Sequence, residues 1–333
     1  MRINTLTGRD GWMNQRVLVT GGAGFIGSHL VDVLMDRGSK VVVFDNLSSG
    51  NLANLERWLK NRRFRFVQAD LKDLGSAGRA VKDVGLVFHM AANPEVRLGE
   101  TDPAVHFDEN VVATFNLLEV MRRSLLAKTL VLASTSTVYG EASVIPTPEE
   151  YGPLVPISLY GASKLACEAL ACSYAYTFGI RVLIVRLANV VGTRSKHGVV
   201  VDFIRKLRVS PDRLEILGDG TQMKSYLHVS DCVDALLHLT DRFVKGRGEV
   251  DIFNVGAFDQ VGVEKIAGIV CGQMGLRDVR FEFTGGVDGG RGWLGDVKKM
   301  HLSIKKLLDS GWRPRWSSEE AVRVAAEDLV KEI

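Results

Sequence analysis

The stretch Val17-Leu18-Val19-Thr20-Gly21-Gly22-Ala23-Gly24-Phe25-Ile26-Gly27-Ser28 constrains this chain more than any other. A β-branched apolar run enters a glycine turn that opens straight into an amphipathic helix, so backbone amides and a helix N-terminus converge on one point. That geometry suits a pyrophosphate. Gly21 permits the tight turn, Gly24 lets the chain approach phosphates without a Cβ, and Gly27 lets helix and strand pack closely. A second strand, Lys40-Val41-Val42-Val43-Phe44, ends in Asp45, about twenty residues further on. A carboxylate there accepts ribose hydroxyls and repels a 2′-phosphate, and Asn46-Leu47-Ser48-Ser49-Gly50 holds no Arg or Lys to welcome one. The residues therefore predict NAD rather than NADP.

Apolar runs then alternate with helical stretches: strands at 64–69, 86–88, 130–133 and 181–186, helices at 52–60, 105–123 and 160–175. Strands that are apolar throughout specify a parallel sheet covered on both faces. The expected fold class is α/β, a Rossmann-type doubly wound parallel sheet with a smaller C-terminal α/β substrate lobe. Residues 1–15 read as an N-terminal extension and 16–188 as the nucleotide-binding domain. Residues 189–333 read mainly as the second lobe, with some elements returning to the first. Trp293, Trp312 and Trp316 gather late in that lobe. Such sheets bind ligands at the carboxyl edge of their strands, where Asp70-Leu71, His89-Met90-Ala91-Ala92-Asn93-Pro94 and Ser134-Thr135-Ser136-Thr137 fall. Asp70 either lies over an adenine or caps the helix that follows. Asn110 stands near the start of the 105–123 helix. The small residues of the 160–175 helix form a packing seam, a candidate contact between subunits.

Charge is close to balance, 42 Lys and Arg against 39 Asp and Glu, and no basic run gathers. Neither a nucleic acid nor a membrane surface is an expected partner. Cys167, Cys172, Cys232 and Cys271 lack C-x-x-C spacing and lie in apolar helical patterns, which reads as buried reduced thiols in a cytoplasmic protein. No segment approaches the roughly 18 uninterrupted apolar residues of a membrane span, and the polar start lacks a signal-peptide core. His197, His228 and His301 show no metal-ligand spacing; they read as structural or surface residues, and no metal is expected.

Tyr160 and Lys164, four apart on one helix, share a face one turn apart. A free phenol titrates near ~10, so a base working near neutrality needs a shift of roughly three units, about 4 kcal/mol. A neighbouring ammonium and a bound positive nicotinamide can supply it. Thr135, at a strand end, offers a hydroxyl that shares the proton of a substrate alcohol with the tyrosine.

Thr20-Gly-Gly-Ala-Gly-Phe-Ile-Gly27, Asp45-Asn46, His89-Met-Ala-Ala92, Ser134-Thr-Ser-Thr-Val-Tyr-Gly140, Tyr160-x-x-x-Lys164 and Arg186-Leu-Ala-Asn189 together resemble the extended short-chain dehydrogenase/reductases. Within that superfamily the chain is most similar to the UDP-glucose (UDP-galactose) 4-epimerases, over about residues 16–330. The resemblance implies tightly bound NAD, a UDP-sugar in the C-terminal lobe and a homodimer built on two long helices per subunit. It implies that Tyr160 takes the 4-hydroxyl proton, Lys164 lowers its pKa and holds the nicotinamide ribose, and Thr135 bonds the same oxygen. NAD contacts are implied at Gly21, Gly24, Phe25, Ile26, Gly27, Asp45, Asn46, Ser48, Ser49, Gly50, Asp70, Leu71, Met90, Ala91, Ala92, Asn110, Tyr160, Lys164 and Ala188. Substrate contacts are implied at Thr135, Tyr160, Asn189, Val199, Gln222, Lys224, Arg291 and Asp296, with Lys224 and Arg291 on the diphosphate and Asp296 on ribose. Related dehydratases and decarboxylases carry a carboxylate just after the threonine, where this chain has Ser136-Thr137, so elimination chemistry loses its expected catalyst. Three positions depart from or vary within the pattern: Pro94 replaces a lysine found in many bacterial epimerases, Ser303 replaces a usual Asp, and Met300 stands where a bulky tyrosine limits some relatives. Met300 therefore leaves room for N-acetylated sugars. Two other readings remain at this point: a net NAD-dependent oxidoreductase resembling L-threonine dehydrogenases, and a non-catalytic dinucleotide sensor.

Overall fold

A computed structural model describes residues 15–333. The expected extension over 1–15, apart from its last residue, lies outside the described residues. Seven strands form one parallel sheet: β1 (Arg16–Thr20), β2 (Lys40–Asp45), β3 (Phe64–Gln68), β4 (Val84–His89), β5 (Thr129–Thr135), β6 (Arg181–Leu187) and β7 (Val250–Val255). Their order is β7-β6-β5-β4-β1-β2-β3. The winding reverses between β1 and β4, and the crevice beyond their carboxyl ends is where a doubly wound sheet takes its ligand.

The helices that matter below are α1 (Phe25–Asp36), α2 (Leu74–Ala80), α3 (Ala113–Arg123), α4 (Leu159–Phe178), α5 (Val199–Val209), α6 (Val229–Lys245), α7 (Val263–Gln273) and α8 (Ser318–Glu332). On β1, Val17 and Val19 face α1 and α6, while Leu18 faces the opposite core with α2, α3 and α4. Alternate side chains point to opposite faces of a strand, so a strand buried on both sides must be apolar at every position. That is why β1 and β2 read as unbroken hydrophobic runs. The chain returns to the sheet through α6 and β7, whereas α5, α7 and α8 enclose a separate core around Phe203, Ile204, Ile266 and Ala325.

Two local expectations change. The 105–123 helix is interrupted: a turn at Pro103–His106 passes through a π-helical segment, Phe107–Val112, before α3 begins. The wider turn draws Asn110 inward, where Oδ1 accepts the Asn93 N–H (2.8 Å) and Nδ2 donates to Ser163 Oγ (2.9 Å). Such single π-turns recur beside functional sites. The three late tryptophans also part company. Trp312 is buried and donates to Asp234 (2.9 Å), Trp316 stands edge-on to His228, and Trp293 reaches the large cleft described below. The four cysteines are free thiols, three of them buried. Among the described residues, no helix is long and apolar enough to cross a membrane, and no cluster of His, Cys, Asp or Glu is placed to hold a metal.

Candidate active site

Two clefts meet at Tyr160, one of about 240 Å³ over the glycine turn and one of about 410 Å³ between the sheet and the small lobe. The first is a cradle that side chains would fill. Gly21 has φ +67°, and a Cβ on it would lie 2.6 Å from Ala91 N; one on Gly27 would lie 2.1 Å from Gly21 O. Asp45 is fixed at the cleft edge because its carboxylate accepts the N–H groups of Ala23 (2.9 Å) and Leu47 (2.8 Å). Gly50 packs beneath it, where a Cβ would stand 2.9 Å from Asp45 Oδ1. Asp70 does not cap α2; Asp73 does, accepting the Gly75 N–H at 2.9 Å. Asp70 instead takes Asn46 Nδ2 (3.1 Å) and lines the cleft with Leu71. A fixed carboxylate at the end of β2, without a cation in residues 46–50, fits a ribose whose hydroxyls are both free.

Helix α4 starts at Ser158, whose Oγ accepts the Gly161 N–H (3.0 Å). A Cβ at 161 would lie 2.7 Å from Thr137 O, so glycine lets the first helical turn press on the end of β5. This contact brings Tyr160 to Thr135. Thr135 Oγ1 accepts from Thr137 N and Thr137 Oγ1, both at 3.2 Å, which leaves its own proton to face the Tyr160 phenol. Burial pushes that phenol up to about 12, against the Thr135 hydrogen bond. Burial also lowers the Lys164 ammonium, opposed by Cys167 and Glu168. From the sequence, the shift needs the ammonium together with a bound positive nicotinamide, and without the latter burial holds the phenol up. The low-dielectric setting penalises the charged form of both groups.

Behind these residues lies a buried ion pair, Arg186 Nη2 to Glu168 Oε2 at 2.7 Å. Ser134 Oγ donates to Glu168, Arg186 Nη1 donates to the Tyr139 hydroxyl (2.8 Å), and that hydroxyl donates to Asn254 Oδ1 (2.8 Å). One network thus ties α4 to β5, β6 and β7, directly beneath Lys164 and Thr135.

In the larger cleft, Asn189 Nδ2, Gln222 Oε1 and Trp293 Nε1 are buried without a hydrogen-bond partner. Lys224 Nζ meets Asp296 Oδ1 at 2.5 Å, and Asp296 Oδ2 accepts the Gly292 N–H (3.1 Å). Val199 and Met300 add apolar wall.

Most expected contacts line the cleft assigned to them, but four do not. Ala188 borders the larger cleft rather than the dinucleotide cleft. Asn110 is buried and turned to Asn93 and Ser163, and Gly50 supports Asp45 from below. Arg291 lines neither cleft: it closes a tight hairpin with Val287, and its guanidinium bonds Glu141, Asp288 (3.1 Å) and Asp296 O (2.8 Å). Gly289 and Gly290, both at positive φ, turn that hairpin, and Trp293, two residues on, lines the larger cleft. Arg194, Lys196 and His197 line the dinucleotide cleft unannounced by the sequence reading, and His197 and Pro94 line both clefts. Nothing in the local sequence marks Arg194, Lys196 or His197 as a cleft residue.

A glycine cradle for a dinucleotide, joined at a Thr-Tyr-Lys group to a second polar cleft, defines a nucleotide-dependent enzyme of the short-chain dehydrogenase type. The chain belongs to the NAD dependent epimerase/dehydratase family, whose model matches residues 17–256. NAD is thus the dinucleotide, as Asp45 predicts. The chain is 50% identical to a solved structure described as UDP-galactose 4-epimerase, covering 96% of this chain and 99% of that one, with a TM-score of 0.85. It is 32% identical to the UDP-glucose 4-epimerase of Mycolicibacterium smegmatis (94% of this chain, 97% of the relative). It is also 32% identical to UDP-glucuronic acid decarboxylase 3 of Arabidopsis thaliana (95% and 89%).

Proposed function

We propose that this chain is a UDP-glucose 4-epimerase that interconverts UDP-glucose and UDP-galactose through a 4-keto intermediate. The observation that carries the reading is the composition of the cleft wall at Tyr160, where Ser134, Thr135, Ser136 and Thr137 offer hydroxyls and no carboxylate. Glu95 also lines the cleft; burial raises its carboxyl, but the Arg97 hydrogen bond and charge outweigh this and leave it below the usual range. An ionised Glu95 has no proton to give a leaving hydroxyl, which disfavours dehydration.

In the proposed reaction Tyr160 Oη accepts the proton of the sugar 4-hydroxyl while Thr135 hydrogen-bonds the same oxygen. NAD held by the glycine cradle and Asp45 would supply the hydride acceptor and donor for C4. Lys164, which lines the dinucleotide cleft, would hold the nicotinamide ribose and favour the phenolate. Gly21, Gly24 and Gly27 admit the pyrophosphate, and Asp45 holds the adenosine ribose. Asn189, Gln222, Lys224 and Asp296 meet the nucleotide part of the substrate, and the cleft leaves room for the keto sugar to turn before reduction.

We place the function in the cytoplasm, with residues 16–188 as the nucleotide domain and 189–333 mainly as the substrate lobe. A homodimer is proposed through the outer faces of α3 and α4, where Phe115 (42% exposed) and Tyr176 (72%) are uncovered beside Ala162, Ala169 and Ser173. The test is incubation of the purified protein with UDP-galactose and NAD, following sugar signals by NMR and absorbance at the NADH wavelength. UDP-glucose appearing without net NADH supports the reading; net NADH, or loss of carbon dioxide from UDP-glucuronate, sinks it. UDP-N-acetylglucosamine in parallel tests the room left by Met300.

A further inference from the structure

His89 is a buried titratable side chain that the reaction outlined above does not use, and it ends β4 directly beside Thr20 at the end of β1. Thr20 Oγ1 meets its Nδ1 at 2.7 Å and Thr114 Oγ1 its Nε2 at 2.9 Å. The links continue on both sides. Ala91 N donates to Thr20 Oγ1 (3.4 Å), Thr114 Oγ1 donates to Cys167 Sγ (3.2 Å), and that thiol donates to Asn110 O (3.3 Å). Thr20, His89, Thr114 and Cys167 are each no more than 1% exposed.

The order of donors fixes the imidazole. A hydroxyl has one proton, and Thr114 gives its own to Cys167, so it must accept from His89 Nε2. Burial and then the Lys164 charge keep the ring neutral, which leaves Nδ1 bare to accept from Thr20. Every proton in the row then points one way, from Ala91 to Asn110. A buried polar network satisfied at every link specifies one arrangement of the elements that carry it. Two links grip α4 around Lys164: Cys167, three residues after it, is held by Thr114 of α3, and Ser163, one residue before it, accepts Asn110 Nδ2 at 2.9 Å. At the other end Ala91 lies against the glycine turn, where a Cβ on Gly21 would stand 2.6 Å from Ala91 N. The row thus runs from the wall of the dinucleotide cleft to the helical turn that presents Lys164 to it.

We infer that His89, as its Nε2–H tautomer, is a positioning residue that registers the Lys164 turn of α4 against the dinucleotide cleft through Thr114 and Cys167. Its effect on turnover rests on the epimerase reading above, in which Lys164 acts on the ribose and the phenol. Loss of one link leaves a buried donor or acceptor unpaired and lets α4 shift, and a displacement of about 1 Å at a reacting group can cost ~100-fold in rate.

Thr114→Val keeps the side-chain shape and breaks the row, whereas Thr114→Ser keeps the hydroxyl; Cys167→Ala and Cys167→Ser form a second pair, on α4. NAD affinity, kcat and KM for UDP-galactose at saturating NAD, and the kcat–pH profile are measured for each, with nitrogen-15 NMR of the His89 ring in wild type. Thr114→Val and Cys167→Ala should bind NAD roughly tenfold more weakly and lose roughly tenfold or more in kcat. Their acid limb should move to higher pH, because a displaced Lys164 favours the phenolate less, while KM for UDP-galactose stays within about twofold. The serine variants should stay within about threefold of wild type, and the wild-type ring should show a protonated Nε2 and a bare Nδ1 from about pH 5 to about pH 8. Serine variants that lose as much as their partners, with the pH profile unmoved, would show a structural role only and overturn the inference. Unchanged NAD binding and turnover in Thr114→Val and Cys167→Ala, or a protonated Nδ1 in wild type, would overturn it as well. Wild type that binds NAD but converts no UDP-galactose sinks the functional reading instead, and NAD affinity across the variants then decides the positioning role.

Discussion

Tyr160 stands in a site that resists its ionisation, since burial holds the phenol at about 12 and Thr135 is the neighbour that pulls it down. Replacing Thr135 with Val removes a hydrogen bond that favours phenolate. The phenol should then rise further, and the acid limb of the kcat–pH profile should move to higher pH, with turnover near neutrality lower by roughly 100-fold. A profile that keeps its position while only KM changes would show that Thr135 merely binds. His89 makes a second residue-scale case. Burial, then Lys164, lower it to about 3, and it sits neutral between Thr20 Oγ1 (2.7 Å) and Thr114 Oγ1 (2.9 Å). Its folded pKa lies below the unfolded value of 6.5, so only the unfolded chain takes up the proton as pH falls through that range. Its contribution to stability is present above about 6.5 and lost toward about 3. Urea midpoints should therefore drop between pH 7 and pH 5, and His89→Gln should reduce that drop. An identical drop in the variant would assign it to other groups.

Among the elements, α4 carries the chemistry and is registered by the Glu168–Arg186 pair, whose side chains are about 5% exposed. Removing one partner leaves a buried charge, so Glu168→Gln should lower unfolding free energy by about 3–5 kcal/mol, while Glu168→Leu with Arg186→Met should recover most of it. Equal losses in the single and double variants would contradict a paired role. A second element is the segment 193–197, which crosses the dinucleotide cleft. Thr193 O meets His29 Nε2 (3.1 Å), Arg194 N donates to Glu332 (2.9 Å), the Arg194 guanidinium bonds Ser28 (3.1 Å) and Asp32 (2.8 Å), and Lys196 Nζ bonds Ser49 O (2.8 Å). Arg194→Ala with Lys196→Ala should speed NAD release roughly tenfold or more, read as the off-rate of bound cofactor. An unchanged off-rate would mean that the segment does not retain the dinucleotide. Nothing local in the sequence announces this strap, because its partners are more than 130 residues away and Arg194 takes a positive φ of 65° to reach them. The glycine turn, Asp45 and Tyr160-x-x-x-Lys164 were legible for the opposite reason: strand, turn and one helical turn fix their geometry locally. Asn110 and Arg291 lie off the cleft linings through features that spacing does not reveal, a π-turn and a glycine hairpin.

At the scale of the whole molecule, the sheet was readable from its doubly buried strands, while the return of α6 and β7 to it depends on long-range pairing with β6. The same parallel layer fixes the Tyr160–Thr135 contact, and the small lobe brings Lys224, Trp293 and Asp296 across from it. The exposed α3–α4 face predicts a particle of twice the chain mass by light scattering, and Tyr176→Glu should shift it toward the monomer. A monomeric wild type would remove that proposal. Central to the account is that C4 loses and regains the same hydrogen within one closed cleft. UDP-galactose carrying deuterium at C4 tests this most directly. The expected product is UDP-glucose with deuterium retained at C4 and no net NADH; protium at C4, or deuterium accumulating in released NADH, would contradict it.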